Sequence, residues 1–239
     1  MSNESFNQDY WSRNIRAFSG FYDERSEEAI HAPWGLKQFY RAVLFPIEKR
    51  FMRKRFEIVS RYIAETVRPG MKVADIGCGC GIFTKQMLDL GATVYAIDYV
   101  QESLDLVRER LTPEERKSVE FRLQDITTEE IPQVDAAISI GVLTYVTSYE
   151  AYLDNILPFT DSFLFNFLES DQILNRLRRS IPMLDVRRLS YHRRGDLESA
   201  LRERGFSISF EEKLATGRVL TASREIASGS GRATHAPAA

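Results

Sequence analysis

The chain has 239 residues, 44% of them hydrophobic, which is enough apolar content for one substantial buried core and too little chain for two full-sized domains. A formal net charge of -2, from 32 basic and 34 acidic residues, carries no global bias toward nucleic acid or an anionic membrane. Cys78 and Cys80, the only cysteines, are separated by a single residue and exclude a disulfide framework; no apolar run approaches the roughly 18 residues of a membrane span, and the start "MSNESFNQDYW" is polar, so a soluble, cytoplasmic protein is expected.

Residues 1–68 read as a helical N-terminal region. A polar start is followed by "AFSGFYDE" and "HAPWG", and then by "LKQFYRAVLFPIEKRFMRKRFEIVSRYIAETV". In that last stretch Phe39, Val43, Ile47 and Phe51 recur at helical spacing, as do Phe56, Val59 and Ile63, and Pro46 is expected to bend or divide it. From "VRPGMKVADIG" the rhythm changes to short Val-, Ile- and Tyr-rich runs alternating with amphipathic stretches. The strand candidates are "KVADI", "TVYAI", "VEFRL", "VDAAISI" and "SFLFNFL", with helix candidates "FTKQMLDL", "QESLDLVRERL" and "YEAYLDNIL" among them. Strand and helix in alternation predict an α/β fold with a doubly wound parallel sheet. After the helix candidate "DLESALRERG", stopped by Gly205, "FSISFEEKLA" and "RVLTASRE" predict an antiparallel hairpin at the sheet edge. Residues 227–239, rich in small and polar residues, are expected to lie outside the fold.

"VADIGCGCGIF" joins the first strand to the following helix, at the sheet edge where doubly wound folds bind ligands. Gly77, Gly79 and Gly81 remove side chains from a loop whose backbone can then approach a ligand. Two thiols without clustered histidines fall short of a zinc site, so the cysteines read as small residues between glycines. A dinucleotide fingerprint requires a further glycine spacing, G-x-G-x-x-G, that Ile82 breaks, and Asp75 ahead of the loop would repel a pyrophosphate.

The run from Asp75 to Gly81 resembles the D/E-x-G-x-G-x-G motif of the Rossmann-like (class I) S-adenosylmethionine-dependent methyltransferases. Three further landmarks agree in spacing: "TVYAID" ending at Asp98, "VEFRLQDI" ending at Asp125 and Ile126, and "VDAAISIGVLTYV" around Ile140. The resemblance implies a seven-stranded, mostly parallel Rossmann-like sheet with an antiparallel C-terminal hairpin and an N-terminal helical cap. It implies S-adenosyl-L-methionine as cofactor, with Asp75, Gly77, Cys78, Gly79, Gly81, Asp98, Tyr99, Asp125, Ile126 and Ile140 as its binding residues. Asp98 would accept from the ribose hydroxyls, and Asp125 with the Ile126 N–H would meet the adenine. It divides the chain into a cap or lid over residues 1–68, a methyltransferase core over 69–226 and a tail over 227–239.

For chemistry at the acceptor, Tyr145, in the turn after the fourth strand, and the two histidines outside the tail, His31 and His192, are the candidates; an imidazole titrates where a hydroxyl's proton could be taken. His31 lies in "HAPWG", which resembles the His-x-Gly-aromatic-Trp segment of small-molecule methyltransferase lids. The arginine-dense residues 175–197 suit either an anionic substrate or a solvated face, and "EKRFMRKRF" either a membrane surface or an inward-packed helix. "SIGVLTY" departs from the Asn/Asp-Pro-Pro-aromatic motif of base N-methyltransferases, which disfavours nucleic acid as a partner. O-methylation of a small molecule is expected, N- or C-methylation stays open, and the closing strands resemble those of porphyrin carboxyl methyltransferases. A nicotinamide-dependent oxidoreductase and a non-catalytic cofactor-binding subunit are the rivals from other classes.

Overall fold

In the computed structural model, residues 3–19, 45–173, 175–176 and 189–225 are described. They form helices α1 (Asn3–Ser19) and α2 (Phe45–Thr66), then β1 (Lys72–Ile76), α3 (Ile82–Asp89), β2 (Thr93–Asp98), α4 (Gln101–Arg110) and β3 (Val119–Leu123). The second half holds β4 (Ala136–Ser139), α5 (Tyr149–Asp154), β5 (Ser162–Leu168), α6 (Arg194–Glu203), β6 (Phe206–Lys213) and β7 (Gly217–Arg224). The seven strands join in one sheet of order β3-β2-β1-β4-β5-β7-β6. β1 to β5 pair in parallel, whereas β7 runs antiparallel between β5 and the edge strand β6, as the expected hairpin requires.

Alternation along the strands sorts their side chains between two cores. Phe163, Phe165 and Phe167 of β5 face one side, with Ala74, Ile76 and Ala137, and are covered by Tyr152 of α5 and Leu197 and Leu201 of α6. Leu164 points the other way, with Val73, Val94 and Ile138, onto Val59 and Ile63 of α2 and Phe83 and Met87 of α3. The α2 periodicity over Phe56, Val59 and Ile63 therefore marks a true core face, and Phe56 stacks on Phe83 with ring centroids 5.8 Å apart. Pro46 is the second described residue of α2, and the stretch before Phe45 that it was expected to bend or divide from the helix lies outside the described residues. Phe51, expected on the apolar stripe, is instead 38% exposed beside Arg50, Arg53 and Lys54. Phe39 and Val43 lie outside the described residues, as does the tail.

Two turns set the site's position. β1 and β4 are adjacent while their following helices lie on opposite faces, so the loops after them part and leave a crevice at their carboxyl ends. At the far side, Gly217 opens β7 so close to β5 that a Cβ there would sit 1.8 Å from the Phe167 carbonyl oxygen. Gly217→Ala is therefore expected to push β7 off β5 and to lower unfolding free energy by about 2–3 kcal/mol, read from the urea midpoint.

Candidate active site

The crevice is a cavity of about 250 Å³. Its floor is the glycine loop, with Gly77 at φ 68°, Gly79 at φ 53° and Gly81 at φ 73°. That repeated left-handed backbone is open to glycine and strained for other residues. A Cβ at Gly77 would meet Val142 Cγ2 at 2.2 Å, and one at Gly79 would project toward Ile15 of α1, so side chains here would fill the space between loop and helix. Gly81 closes the loop as the left-handed residue before α3.

Asp98 ties this loop to β2. Its Oδ2 accepts from Gly79 N at 3.1 Å and its Oδ1 from Val100 N at 3.0 Å. The carboxylate is 6% exposed and lines the cavity, and burial pushes its pKa up to about 6 despite those amide bonds. Asp75 lies behind the wall rather than on it: it is 3% exposed, and its Oδ2 accepts from the Thr84 hydroxyl at 2.5 Å. Burial pushes its pKa up to about 6 as well, the Thr84 bond opposing the rise and the Asp98 charge adding to it. Cys78, buried beside both, is pushed upward first by burial and then by Asp98 and Asp75, so the thiol keeps its proton and its poise is opposite to that of a reactive cysteine.

The loops after β2, β3 and β4 complete the wall. Tyr99 follows Asp98, and Asp125, Ile126 and Thr127 follow β3. Asp125 Oδ1 accepts from the Thr127 N–H at 2.9 Å and its hydroxyl at 2.7 Å, which leaves Oδ2 outside the turn. Beyond β4, Ile140, Gly141, Val142, Thr144 and Tyr145 line the cavity. Asn166 of β5 fixes that turn by accepting from Gly141 N at 2.6 Å, and Thr144 donates to Gly141 O at 3.0 Å.

Of the expected binding residues, the structure thus brings Gly77, Cys78, Gly79, Asp98, Tyr99, Asp125, Ile126 and Ile140 to one cavity, while Asp75 and Gly81 support it from behind. Tyr145 is on the wall, edge-on to Trp11 of α1 at 5.3 Å. His192 is not on it. Its backbone bridges to β5 through His192 N to Leu168 O at 2.9 Å and Ser170 N to His192 O at 2.9 Å. Its Nε2 stands 3.3 Å from Leu143 O, and burial lowers its pKa. The ring faces Tyr149 in a separate polar cleft with Asp171 and Asp196. His31 lies outside the described residues, and so do residues 177–188 of the arginine-dense segment. Arg194 and Arg218, nearby, are bound to Glu211, Glu198 and Glu169 in a structural network.

Sequence reasoning missed the roof. Asn7, Trp11 and Ile15 of α1, and Met52 and Arg55 of α2, line the cavity. The signal was present as i, i+4, i+8 spacing over Asn7, Trp11 and Ile15, though nothing local links that stripe to a loop sixty residues away. α1 is secured by Gln8 Nε2 donating to Tyr99 O at 2.9 Å and by Arg16 pairing with Glu109 at 2.8 Å.

Residues 73–160 match the family profile described as "Methyltransferase domain". This segment is similar to methyltransferase domains. Over 76 residues the chain is 34% identical to the magnesium-protoporphyrin O-methyltransferase of Rhodobacter capsulatus, covering 32% of this chain and 34% of that protein. Over 89 residues it is 34% identical to the mitochondrial ubiquinone biosynthesis O-methyltransferase of Homo sapiens, covering 35% of this chain and 24% of that protein. The matched stretch thus spans about a third of the first relative and about a quarter of the second. Among solved structures, the magnesium protoporphyrin IX methyltransferase of Synechocystis PCC 6803 with bound S-adenosylhomocysteine aligns with TM-score 0.69 and 18% identity, over 94% of this chain and 100% of that one. The fold is therefore that of the class I methyltransferases, as the order of the sheet already indicated.

The two raised carboxyls give the domain a pH signature. Both stay protonated in the native state up to about pH 6, whereas the unfolded chain releases those protons from near 3.8 upward. The native state then binds more protons across that interval, and their contribution to stability falls as pH rises through it. The urea midpoint of the parent is expected to fall between about pH 4.5 and pH 7, and Asp75→Asn, which keeps an acceptor for Thr84, to flatten that fall.

Proposed function

We propose that the chain is an S-adenosylmethionine-dependent methyltransferase acting on an oxygen of a small, largely apolar metabolite. The observation that carries this reading is the convergence of three strand-end features on one cavity: the glycine loop after β1, Asp98 at the end of β2 and Asp125 after β3. The residues fit the cofactor chemically. Gly79 leaves room at the loop, and Asp98 offers a buried acceptor suited to a vicinal diol. Two acids whose ionised forms are disfavoured by burial suit a ligand that brings positive charge. Asp125 Oδ2 and the Ile126 N–H are then the groups for adenine, with Tyr99 and Ile140 as apolar walls. Asp75 and Gly81 act through the loop they hold.

The cofactor supplies a methyl group already activated on a sulfonium, so the protein's task is alignment and exclusion of water. The turn Gly141–Tyr145, pinned by Asn166, presents a rigid face to the acceptor, and Trp11 packs behind Tyr145. Tyr145 is our candidate for orienting the acceptor. His192, whose Nε2 is engaged with the Leu143 carbonyl, supports that turn in this reading, and His31 remains a candidate base. Arg55 on the wall, with Nη1 3.6 Å from a Cβ built at Gly141, supports an anionic group on the acceptor. The apolar remainder and the roof of α1 favour a small molecule over nucleic acid. No helix among the described residues is long and apolar enough to cross a membrane, which is consistent with a cytoplasmic location. We retain residues 1–68 as cap and 69–226 as core, noting that α2 also contributes Val59 and Ile63 to the sheet's core.

Thermal-shift titration separates this reading from a nicotinamide enzyme: S-adenosylhomocysteine should raise the melting temperature and NAD(H) should not, the reverse contradicting us. Asp98→Ala is expected to weaken S-adenosylhomocysteine binding by about 2 kcal/mol in calorimetry. Labelled methyl transfer from the donor into a metabolite extract, with mass identification of the product, should give an O-methylated acid; binding without any transfer would instead support a non-catalytic subunit.

A further inference from the structure

The basic and aromatic start of α2 divides between two faces. Phe56 turns inward and stacks on Phe83, whereas Phe51 stands out at 38% exposure. Among the described residues the other exposed large apolar side chains are Leu123, at 58%, and Ile173, at 81%. Phe51 and Ile173 adjoin the same turn. Lys54 Nζ, one helical turn on from Phe51, donates to Lys213 O at 3.1 Å, and Gln172, next to Ile173, has its Nε2 3.5 Å from Leu214 O. That turn, between β6 and β7, lies at the carboxyl end of β5, on the sheet edge that carries the cavity, and Met52 and Arg55 put the same part of α2 on the cavity wall.

Single apolar side chains on a surface carry no meaning by themselves. Here charge accompanies them. Of the exposed charged residues of α2 from 50 to 61, Arg50, Arg53, Lys54 and Arg61 are positive and Glu57 alone is negative. Glu57 takes Arg53 at 2.9 Å, and Glu212 takes Arg61 at 2.6 Å with Lys54 at 3.8 Å. Positive charge stays in excess along this face, with Lys213 added at the turn and Asp171 the exposed acid nearest Ile173 in sequence. The whole chain has a net charge of -2, so the excess is local. A nucleic-acid backbone would satisfy the cations and leave Phe51 and Ile173 in water. An anionic bilayer satisfies both, its headgroups taking the cations and its acyl boundary the apolar side chains. Leu123 lacks that company: on its edge strand β3, Arg122 and Glu120 pair with each other at 2.6 Å.

We propose that Phe51 and Ile173, with Arg50, Arg53, Lys54 and Lys213 around them, dock the protein on an anionic phospholipid surface. Docking sets the α2 side of the cavity against the lipid, so that an apolar acceptor dissolved there reaches the cavity without crossing bulk water. That delivery rests on the apolar-acceptor reading above; the docking does not. With few anchors and screened charges, the attachment is reversible and salt-sensitive.

The test is co-sedimentation of the full chain with vesicles of phosphatidylcholine alone, or of phosphatidylcholine mixed equally with phosphatidylglycerol. The parent sediments with the mixed vesicles and not with phosphatidylcholine, and raising NaCl from about 0.1 M to about 0.5 M releases most of it. Phe51→Ser and Ile173→Ser each weaken partition about fivefold and Arg50→Glu about tenfold, with the melting temperature unchanged, while Leu123→Ser binds as the parent does. Arg50→Glu, a change at an exposed charge, decides the matter if an apolar substitution lowers the melting temperature. No binding of the parent to the mixed vesicles overturns the proposal, as does equal binding to phosphatidylcholine alone or equal binding by parent and rim variants. An equal loss in Leu123→Ser overturns it too, since the contact would then lie elsewhere. A parent dimer in light scattering that Phe51→Ser turns into a monomer makes this face an interface between copies, which also overturns it. A parent that docks on vesicles yet binds no S-adenosylhomocysteine refutes the methyl-donor reading and leaves the docking standing.

Discussion

The Asp98 carboxylate is held by two backbone amides, Gly79 N and Val100 N, and the shape of the site depends on that attachment. The glycine loop alone would have many conformations open to it, since three of its residues stand in left-handed backbone that only glycine adopts freely. A carboxylate on the adjacent strand selects one of them. The cost is a buried acid with a raised pKa, and a second, Asp75, lies just behind it on a bond to Thr84. Such an arrangement is poor for stability in isolation and well suited to a ligand that donates hydrogen bonds and carries positive charge.

Everything around that attachment serves to orient it. Adjacent placement of β1 and β4 opens the crevice, and the two packed cores hold the strands in register beneath it. The Arg110 guanidinium donates to Cys80 O at 2.7 Å and so braces the loop from α4, while Asn166 braces the opposite turn from β5. The sheet edge supplies one wall, and α1, with Asn7, Trp11 and Ile15 on the cavity, supplies the other.

Legibility followed the range of the physics. β1, β3 and β5 could be read to the residue because alternation and flanking turns are local signals, and the acids at strand ends followed from them. α6 begins at Arg194, earlier than its apolar pattern suggests, because Arg193 before it offers no side-chain cap to mark the start. The placement of His192 could not be read: imidazole chemistry made it attractive, but pairing of its backbone with β5 turns it into a different cleft. The stripe on α1 was visible as a helix face, and its role depended on contacts with Tyr99, Glu109 and Tyr145 that are far away in the chain. Phe51 shows the converse, an apolar residue in helical register that tertiary packing leaves outside.

The proposed S-adenosyl ligand would lie against Asp98, with Asp75 behind the loop, so its binding is expected to move the protons of these two acids. The most direct measurement is the proton inventory of binding: calorimetric titration of S-adenosylhomocysteine near pH 6 in two buffers of different ionisation enthalpy. With both carboxyls pushed up to about 6, and with ligand hydroxyl and ammonium groups favouring the ionised forms, net proton release is predicted there. The release should fade by about pH 8, where both acids are ionised before binding. Binding near pH 6 with no proton exchange, or with net uptake, would contradict the account.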